Sequence, residues 1–275
     1  MAQGVERSMQ PFEGDWALIL GASSGFGEAT ALELASLGMH IVGVHLDRKS
    51  TLANVERITK EIKSKGREAL FFNANAADPD KRREVLDAVQ DRCRGDARRL
   101  PVRVLLHSLA FGTLKPFIAD TEEESLTKAQ MDMTLDVMAN TLVYWTQDLV
   151  RRRLMGQGGR VFAMTSAGGA RVWKTYGAVS AAKAALESHV RQLTLEMGPL
   201  GITVNAVMAG VTDTPALRKI PGSDRMIQMA RAKNPSGRLT TPQDVAQAIG
   251  LLAHPKAQWV TGNVICVDGG EFVVD

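Results

Sequence analysis

The sequence predicts an α/β protein with a doubly wound parallel sheet in a single domain. Three observations lead to this prediction. Short apolar runs alternate with longer segments of helical periodicity along the chain, a pattern that places helices on both faces of a parallel sheet. The first apolar run ends in a glycine-rich turn that opens a helix. No stretch rich in proline, glycine and serine divides the chain, so one domain is the simplest interpretation.

Seven short apolar runs are the predicted strands. They occupy residues 16–21, 40–46, 69–72, 102–107, 160–165, 202–207 and 263–267. Between the first two, apolar residues recur at helical spacing from residue 25 to 37, and Gly38 ends the pattern. Two long helices are expected over residues 124–155 and 175–198. The chain therefore alternates strand and helix throughout.

Composition and charge exclude several classes of protein. The formal net charge of +3 comes from interspersed signs, so nucleic-acid binding has no support. Cys93 and Cys266 lack metal-ligand spacing, and we expect free thiols and no metal site. The N-terminus lacks the apolar core of a signal peptide, and no later stretch approaches the roughly 20 apolar residues that span a bilayer. We expect a cytoplasmic protein that binds no membrane, with a polar arm over 1–14 and one domain over 15–275.

The turn GASSGFG, residues 21–27, joins the first predicted strand to the first helix. In such a turn Gly21 permits the tight exit from the strand, Gly25 lets the backbone approach a pyrophosphate, and Gly27 lets the helix pack against the sheet. The free amides at the start of the helix would face the phosphates. An ordinary glycine-rich connection is the alternative. The position between strand and helix favours dinucleotide binding and a Rossmann-like sheet.

The end of the second strand bears on which dinucleotide is bound. An acidic residue there would bind the ribose hydroxyls of NAD and repel the extra phosphate of NADP. Here the strand ends near His45, and Asp47, Arg48 and Lys49 follow. A histidine and a basic pair favour NADPH over NADH, because guanidinium and ammonium groups bind phosphate well. Asp47 argues in the other direction, and a solvated turn is the alternative role of the basic pair.

The sequence resembles the short-chain dehydrogenase/reductase family from Trp16 to its end. The motifs that carry the resemblance are GASSGFG at 21–27, HSLA at 107–110, Ser166, Lys183, VNAVMAGVTDT at 204–214 and VTGNVICVDGG at 260–270. The resemblance implies that Lys183 holds the nicotinamide ribose hydroxyls and that Thr212 and Thr214 contact the carboxamide. The complete set of implied cofactor contacts is Gly21, Ser23, Ser24, Gly25, Phe26, Gly27, His45, Arg48, Asn75, Ala76, Ser108, Ala110, Lys183, Gly210, Thr212 and Thr214.

The sequence also departs from the family pattern. Most members place the catalytic tyrosine four residues before the lysine, where this chain has Val179, and Tyr176 stands seven residues before it. The family's usual helix asparagine, part of a proton relay, falls at Met138. The stretch HSLAF, 107–111, is similar to the HSxxF stretch of bacterial enoyl-acyl-carrier-protein reductases, which share the seven-residue spacing. Within that branch the end of the chain resembles the FabL type, in which a serine also stands at the position of Ser166.

The spacing of tyrosine and lysine can be related to a reaction. Seven helical residues turn a side chain through about 700°, so Tyr176 and Lys183 share one face within roughly 20°. Moving the phenol from position 179 to 176 displaces it by about 4.5 Å along the helix. A more distant phenol suits the thioester oxygen of an enoyl substrate, where charge develops when hydride adds to the β-carbon. The charge of Lys183 is expected to depress the pKa of the phenol. Ser166 is the third catalytic candidate, with a polar strand end as its alternative role.

Residues 212–235 combine prolines and glycine with short helical patterns, which predicts a mobile lid. Its basic residues could meet an acidic acyl carrier protein, although a solvated basic face is the commoner explanation. The lid bases are Arg218, Lys219, Arg225, Arg231 and Lys233. The resemblance further implies a homotetramer built through the two long helices.

These observations predict an NADPH-dependent enoyl-acyl-carrier-protein reductase of fatty acid elongation. Two alternatives remain open at this point. One is a short-chain carbonyl reductase, such as a 3-oxoacyl-carrier-protein reductase, against which Val179 and Met138 argue. The other is a cofactor-bound regulator without turnover, which the joint presence of Tyr176, Lys183 and Ser166 disfavours.

Overall fold

A computed structural model describes residues 12–93 and 101–274, and within them the predicted α/β architecture is confirmed. The strands are β1 Trp16–Leu20, β2 His40–His45, β3 Ala69–Asn73, β4 Val102–His107, β5 Arg160–Ser166, β6 Thr203–Ala209 and β7 Val264–Val267. The helices are α1 Gly25–Ser36, α2 Leu52–Ser64, α3 Pro79–Arg92, α4 Lys128–Leu135, α5 Thr141–Arg151, α6 Gly177–Met197, α7 Ser223–Lys233 and α8 Pro242–Ala253.

The seven strands form one sheet in the order β3-β2-β1-β4-β5-β6-β7, and every neighbouring pair is parallel. The chain winds outward from β1 to β3, returns to the other side of β1, and winds outward again from β4 to β7. The reversal lies between β1 and β4. In open sheets of this kind the crevice beyond the carboxyl ends of the two central strands is the usual ligand site.

Two apolar cores cover the two faces of the sheet, because successive side chains of a buried strand point in opposite directions. Along β1, Trp16, Leu18 and Leu20 pack with α3, α5 and α6 on one face. Ala17 and Ile19 pack with α1, α2 and α8 on the other. This is the doubly wound arrangement that the continuous apolar strands predict.

The predicted helix over 124–155 is wrong at both ends and in its middle. Thr127 and Gln130 form a capping box that starts α4 at Lys128, because the cap satisfies amides that have no helical partner. The π-helical turn Asp136–Asn140 then separates α4 from α5. At the other end, α5 stops at Arg151, and Arg153 turns the chain with a φ of 56°. The helix expected over 175–198 is α6, two residues shorter at its start.

The predicted N-terminal arm, residues 1–14, lies outside the described residues except for its last three. Of these, Phe12 is buried and packs edge-on against His254 at 6.4 Å between ring centroids. Within 12–93 and 101–274, no helix is both long enough and apolar enough to cross a bilayer.

Candidate active site

The glycine turn between β1 and α1 packs closely against neighbouring backbone atoms. Gly21 has a φ of 88°, and a Cβ added there would lie 2.3 Å from the carbonyl oxygen of Ser108, which follows β4. A Cβ at Gly27 would lie 2.0 Å from the carbonyl oxygen of Gly21. Real carbon and oxygen atoms do not approach so closely, so only glycine fits either position. The turn therefore sits directly over the crevice between the two central strands.

The first turn of α1 is left open for an anionic ligand. Ser24 precedes the helix in an extended conformation, and its side chain caps none of the helix amides. Unpaired amides and the helix dipole together attract phosphate groups. The turn is steadied from outside, because Nδ2 of Asn54 on α2 donates to the carbonyl oxygen of Ser23 at 2.8 Å and to Glu28 at 2.9 Å. These residues fit the pyrophosphate of a dinucleotide.

At the adenosine end, the structure brings His45 and Asp47 together. Nδ1 of His45 lies 2.9 Å from Oδ2 of Asp47, and His45 itself is buried. Burial raises the pKa of Asp47, but hydrogen bonds from Ser23, Thr51 and His45 outweigh it and hold the pKa below its usual value. Arg48 is exposed and forms no ion pair with the described residues. A carboxylate and a free guanidinium thus stand side by side where a ribose or its phosphate would lie.

The remaining predicted cofactor contacts follow the carboxyl ends of β3, β4 and β6, which places them along one edge of the sheet. They are Asn75 and Ala76, Ser108 and Ala110, and Gly210, Thr212 and Thr214. Thr214 lies over the glycine turn, because a Cβ at Gly25 would be 3.5 Å from its methyl group. Thr212 is buried and its hydroxyl donates to the carbonyl oxygen of Gly210 at 3.0 Å. Ser23 and Phe26 complete the turn, with Phe26 packed against the core.

Tyr176 and Ser166 converge at the carboxyl end of β5. Tyr176 is the residue immediately before α6, and Ser166 ends the strand. Both lie against Gly168, where an added Cβ would be 2.5 Å from Cε1 of Tyr176 and 3.2 Å from Oγ of Ser166. Oγ of Ser166 is buried and has no well-aligned hydrogen bond among the described residues. The hydroxyl of Ser166 and the phenol of Tyr176 therefore lie together, where both could contact one substrate oxygen.

The pKa of Tyr176 differs from the expectation. The charge of Lys183 was expected to lower it, but burial raises the pKa of the phenol above 10, and only the nearby hydroxyl of Ser166 opposes that shift. Desolvation disfavours the phenolate more than the neighbouring groups favour it. Tyr176 is therefore a neutral hydrogen-bond donor at physiological pH.

Lys183 is buried, and it contacts β5 two residues before Ser166. Its Nζ donates to the carbonyl oxygen of Met164 on β5 at 2.6 Å. Burial lowers the pKa of Lys183 to about 8, while the carboxylate of Glu187 opposes the shift. An ammonium group has three N–H donors, and Met164 is the only acceptor it finds among the described residues. Its other donors fit the hydroxyls of a ribose.

Behind Lys183, His107 ends β4 in full burial. Nε2 of His107 lies 2.8 Å from the hydroxyl of Thr141, which itself donates to the carbonyl oxygen of Val137. Burial, and then the charge of Lys183, lower the pKa of His107 to about 3. The imidazole is therefore neutral, and it donates from Nε2 because the hydroxyl proton of Thr141 is already used.

At two positions where the family resemblance implies catalytic residues, this chain has apolar side chains. Met138 and Val179 belong to one buried cluster with Val137 and Ala182. Gly112 packs against both, since a Cβ there would lie 2.8 Å from Cγ2 of Val179 and 2.9 Å from Sδ of Met138. Neither position offers a proton donor. The apolar cluster occupies the place of the helix asparagine and the nearer tyrosine.

The segment before Tyr176 connects it to the predicted lid. Nε1 of Trp173 donates to the carbonyl oxygen of Pro221 at 3.0 Å, and the carbonyl oxygen of Trp173 accepts from the amide of Tyr176 at 3.1 Å. Between them, Thr175 has a φ of 66°, a conformation that is costly for a β-branched residue. The lid itself contains α7, and its mobility stays a prediction.

Three residues of the site were not identified from the sequence. Asn54 reaches the glycine turn from α2, and Glu271 near the C-terminus accepts from the amide of Val211 at 3.0 Å. Both contacts join residues far apart in sequence, so no local pattern indicates them. Glu187 is different, because it lies four residues after Lys183 and helical spacing could have identified it as a neighbour.

The comparison with protein families identifies the chain. A family model described as Enoyl-(Acyl carrier protein) reductase matches residues 21–271. This match covers most of the chain and includes the glycine turn, β5, α6 and the lid segment. The chain belongs to the short-chain dehydrogenase/reductase family, and it is an NAD(P)H-dependent oxidoreductase.

Among curated proteins, two relatives whose names refer to reductases are similar over nearly the full length. An NADPH-dependent aldehyde reductase-like protein of Arabidopsis thaliana is 32% identical over 94% of this chain and 95% of its own length. The 3-oxoacyl-(acyl-carrier-protein) reductase FabG of Pseudomonas aeruginosa is 28% identical over 95% of this chain and 98% of its own length.

Solved structures share the fold. The NADH enoyl-(acyl-carrier-protein) reductase of Aquifex aeolicus VF5 superposes with a TM-score of 0.82 at 22% identity, covering 96% of this chain and 98% of its own. A short-chain dehydrogenase of Burkholderia cenocepacia J2315 in complex with NADP has a TM-score of 0.78 at 27% identity, covering 95% of this chain and 99% of its own.

Proposed function

We propose that this protein is an NADPH-dependent enoyl-acyl-carrier-protein reductase of the FabL type, which saturates trans-2-enoyl thioesters in fatty acid biosynthesis. One observation carries the proposal. The places of the nearer tyrosine and the helix asparagine belong to a buried apolar cluster around Val179 and Met138, while Tyr176 lies outside α6 against Ser166. The proton donor of this site is thus displaced from the position that suits ketone reduction.

The displacement matters because the two reactions place negative charge differently. In ketone reduction the charge develops on the oxygen bonded to the carbon that receives hydride. In enoyl thioester reduction it develops on the thioester oxygen, several bonds farther from that carbon. A neutral phenol stabilises such an oxyanion by donating a hydrogen bond, and a preorganised donor contributes most when the site is shielded from water. Tyr176 is partly buried, and this burial contributes to that shielding.

When bound, the nicotinamide supplies the hydride. Tyr176 donates a hydrogen bond to the thioester oxygen, and the neighbouring hydroxyl of Ser166 is the proposed second donor to the same atom. Lys183 holds the ribose with the N–H groups that Met164 leaves unused. The glycine turn holds the pyrophosphate through its backbone, so the chemical end of the cleft needs only these three side chains.

NADPH is the proposed cofactor, in preference to NADH. Arg48 and Lys49 are exposed at the adenosine end, and guanidinium groups bind phosphate with two hydrogen bonds. A relative at 32% identity is named as NADPH-dependent, and a structure at 27% identity holds NADP. Asp47 opposes this preference through its charge, and its pairing with His45 reduces the opposition.

The proposed partner is an acyl carrier protein carrying an enoyl chain. Lys219, Arg225 and Arg231 are exposed on the lid segment and form no ion pairs with the described residues, whereas Arg218 is paired with Asp213 and Asp224. Three free cations beside the cleft suit an acidic carrier. We further propose a cytoplasmic homotetramer assembled through α5 and α6, as family resemblance implies.

The proposal is tested by following NADPH and NADH oxidation with crotonyl and acetoacetyl thioesters. We expect turnover of the crotonyl thioester, and the Tyr176→Phe variant should lose about 10² to 10³ in kcat/KM, the usual effect of removing one oxyanion donor. The second tyrosine of the chain provides a matched control, since Tyr144 is exposed on α5. Tyr144→Phe should retain full activity. Consumption of acetoacetyl thioester alone would refute the enoyl assignment.

Carbonyl reduction is the second candidate. Relatives at 28% to 32% identity are named as 3-oxoacyl and aldehyde reductases. The same assay separates the two reactions, because a carbonyl reductase consumes acetoacetyl thioester and leaves crotonyl thioester untouched. If neither thioester supports NADPH oxidation, the result would favour a cofactor-bound regulator without turnover.

A further inference from the structure

Lys183 is a buried cation, and a single hydrogen bond to the backbone offsets only part of the cost of removing it from water. Its exposed fraction is 6%, and the carbonyl oxygen of Met164 is its one hydrogen-bond partner among the described residues. Burying an ammonium group is costly unless a charge or several hydrogen bonds compensate it. Before any cofactor binds, one carbonyl supplies only part of that compensation.

Glu187 places a negative charge one helical turn further along α6. Residues four apart lie on the same helix face, so both side chains project toward β5. The hydroxyl of Thr165 donates to Oε1 of Glu187 at 2.6 Å. Gly169, just beyond the strand, approaches so closely that a Cβ there would lie 2.9 Å from the same oxygen. The carboxylate is therefore held by the protein and does not turn freely toward solvent.

Two consecutive residues of β5 thus fix two charges of α6. Met164 binds the ammonium group through its carbonyl oxygen, and Thr165 binds the carboxylate through its hydroxyl. The next residue of the strand is Ser166, which lies against Tyr176. The strand end aligns the acid, the lysine and the phenol along one edge of α6.

We propose that Glu187 is a positioning residue for Lys183, and that its anchored carboxylate keeps the buried ammonium group charged and directed toward the cofactor ribose. Glu187 and Lys183 form no direct ion pair, so the effect acts through electrostatic attraction in a buried setting, where screening by water is weak. The inference rests on the site proposed above. It assigns a role to a residue that touches neither the proposed cofactor nor the substrate.

The other ionisable groups around Lys183 leave a clear pH interval for a test. His107, on β4, has a pKa of about 3. Burial lowers the pKa of His189 on α6, which contacts Asn140. The pKa of Tyr176 is raised above 10. None of these groups changes charge between pH 7 and 9, whereas Lys183 titrates at about 8.

The test is thermal unfolding of the protein without cofactor, measured from pH 7 to pH 10 for the wild type and Glu187→Gln. Glutamine keeps the hydrogen bond from Thr165 and removes the charge. Lys183 in the wild type has a folded pKa near 8 and an unfolded value of 10.5. Between these two pKa values the unfolded chain binds more protons than the folded protein, so the stability of the folded protein rises with pH in that window. Without Glu187 the folded pKa should fall by about one unit, a tenfold change.

Because a lower folded pKa of Lys183 reduces stability near neutral pH, the variant should be the less stable protein there. The variant should melt about 2 °C below the wild type at pH 7, and the gap should close by pH 9 to 10, where Lys183 is neutral in both proteins. A gap that stays constant with pH, or no gap at all, would overturn the proposal. Glu196→Gln, at an exposed position of the same helix, is the control and should show no gap.

A second variant covers the case in which Glu187→Gln does not fold. Thr165→Val removes the anchor and keeps the charge, so the carboxylate can turn away from Lys183. Its melting temperature should show the same pH dependence with a smaller gap. Because these measurements need neither cofactor nor substrate, they succeed or fail independently of the reaction that the enzyme catalyses.

Discussion

The two ends of the proposed cofactor cleft are built on different physical principles. At the glycine turn, residues 21–27, a Cβ on Gly21 or Gly27 would clash with a backbone carbonyl oxygen, so no side chain fits at these two positions. At the end of β5, the proposed contacts come from the side chains of Ser166, Tyr176 and Lys183, and the positions of these side chains depend on distant parts of the chain. The first end tolerates no added atom at Gly21 or Gly27. The second end consists of side chains, which substitutions can change one at a time.

The largest expected effect is at the glycine turn. In Gly27→Ala the new Cβ would lie 2.0 Å from the carbonyl oxygen of Gly21. Neither backbone can move away easily, so overpacking should cost about 3 kcal/mol of unfolding free energy. Urea unfolding measures this loss, and nicotinamide fluorescence should show that cofactor binding is lost.

Gly198→Ala is the matched control. Gly198 has a helical φ of −53°, and a Cβ there would meet nothing within 4 Å. Alanine should leave stability unchanged or raise it by about 0.5 kcal/mol, because it reduces the freedom of the unfolded chain. Equal losses in the two variants would contradict the claim that close backbone approach defines the turn.

An intermediate effect is expected where a side chain meets the cofactor at the adenosine end. Arg48→Ala should raise the KM for NADPH about tenfold, equivalent to roughly 1.4 kcal/mol, and leave the KM for NADH almost unchanged. Initial rates with both cofactors measure the difference. Asp47→Asn should act in the opposite direction and favour NADPH, since it removes the nearby charge. If Arg48→Ala changed both constants equally, its proposed contact with the phosphate would be wrong.

The smallest expected effect is at Thr175, on the side-chain end. Left-handed backbone costs a non-glycine residue about 1 to 2 kcal/mol, so glycine would relieve this strain. Glycine also makes the unfolded chain more flexible, which cancels part of the stabilisation. Thr175→Gly should therefore stabilise the fold by about 0.5 kcal/mol and lower kcat, because the stiff turn that positions Tyr176 is lost. Arg153, with a φ of 56°, offers the control. Arg153→Gly should give the same stabilisation in urea unfolding with no change in kcat.

The sequence predicted nearly all of the sheet and two of the three helices whose bounds were expected, α1 and α6. Strands buried on both faces appear as continuous apolar runs, so their number and their places along the chain could be predicted. The helix expected over 124–155 was not correct, because a capping box at Thr127 and the π-helical turn Asp136–Asn140 depend on local hydrogen bonds that apolar spacing does not report.

For the candidate site, sequence reasoning identified residues better than environments. The glycine turn was predictable because glycine is the only residue that fits there. The pKa of Tyr176 was not, because it depends on burial under residues far away in sequence, and only the hydroxyl of Ser166 opposes the rise. The support given by Asn54 and Glu271 spans long stretches of chain, and no local pattern could reveal it.

The hydrogen bond between Trp173 and Pro221 gives the protein a built-in optical reporter. Trp16 and Trp145 are buried in the core, and Trp259 is 96% exposed, so the emission of these three indoles should be insensitive to the lid. Trp173 alone among the described tryptophans binds the lid directly. If the lid opens, water replaces the carbonyl oxygen at Nε1, and the emission of this indole should shift to longer wavelength. Lid movement could thus be followed in solution without attaching a dye.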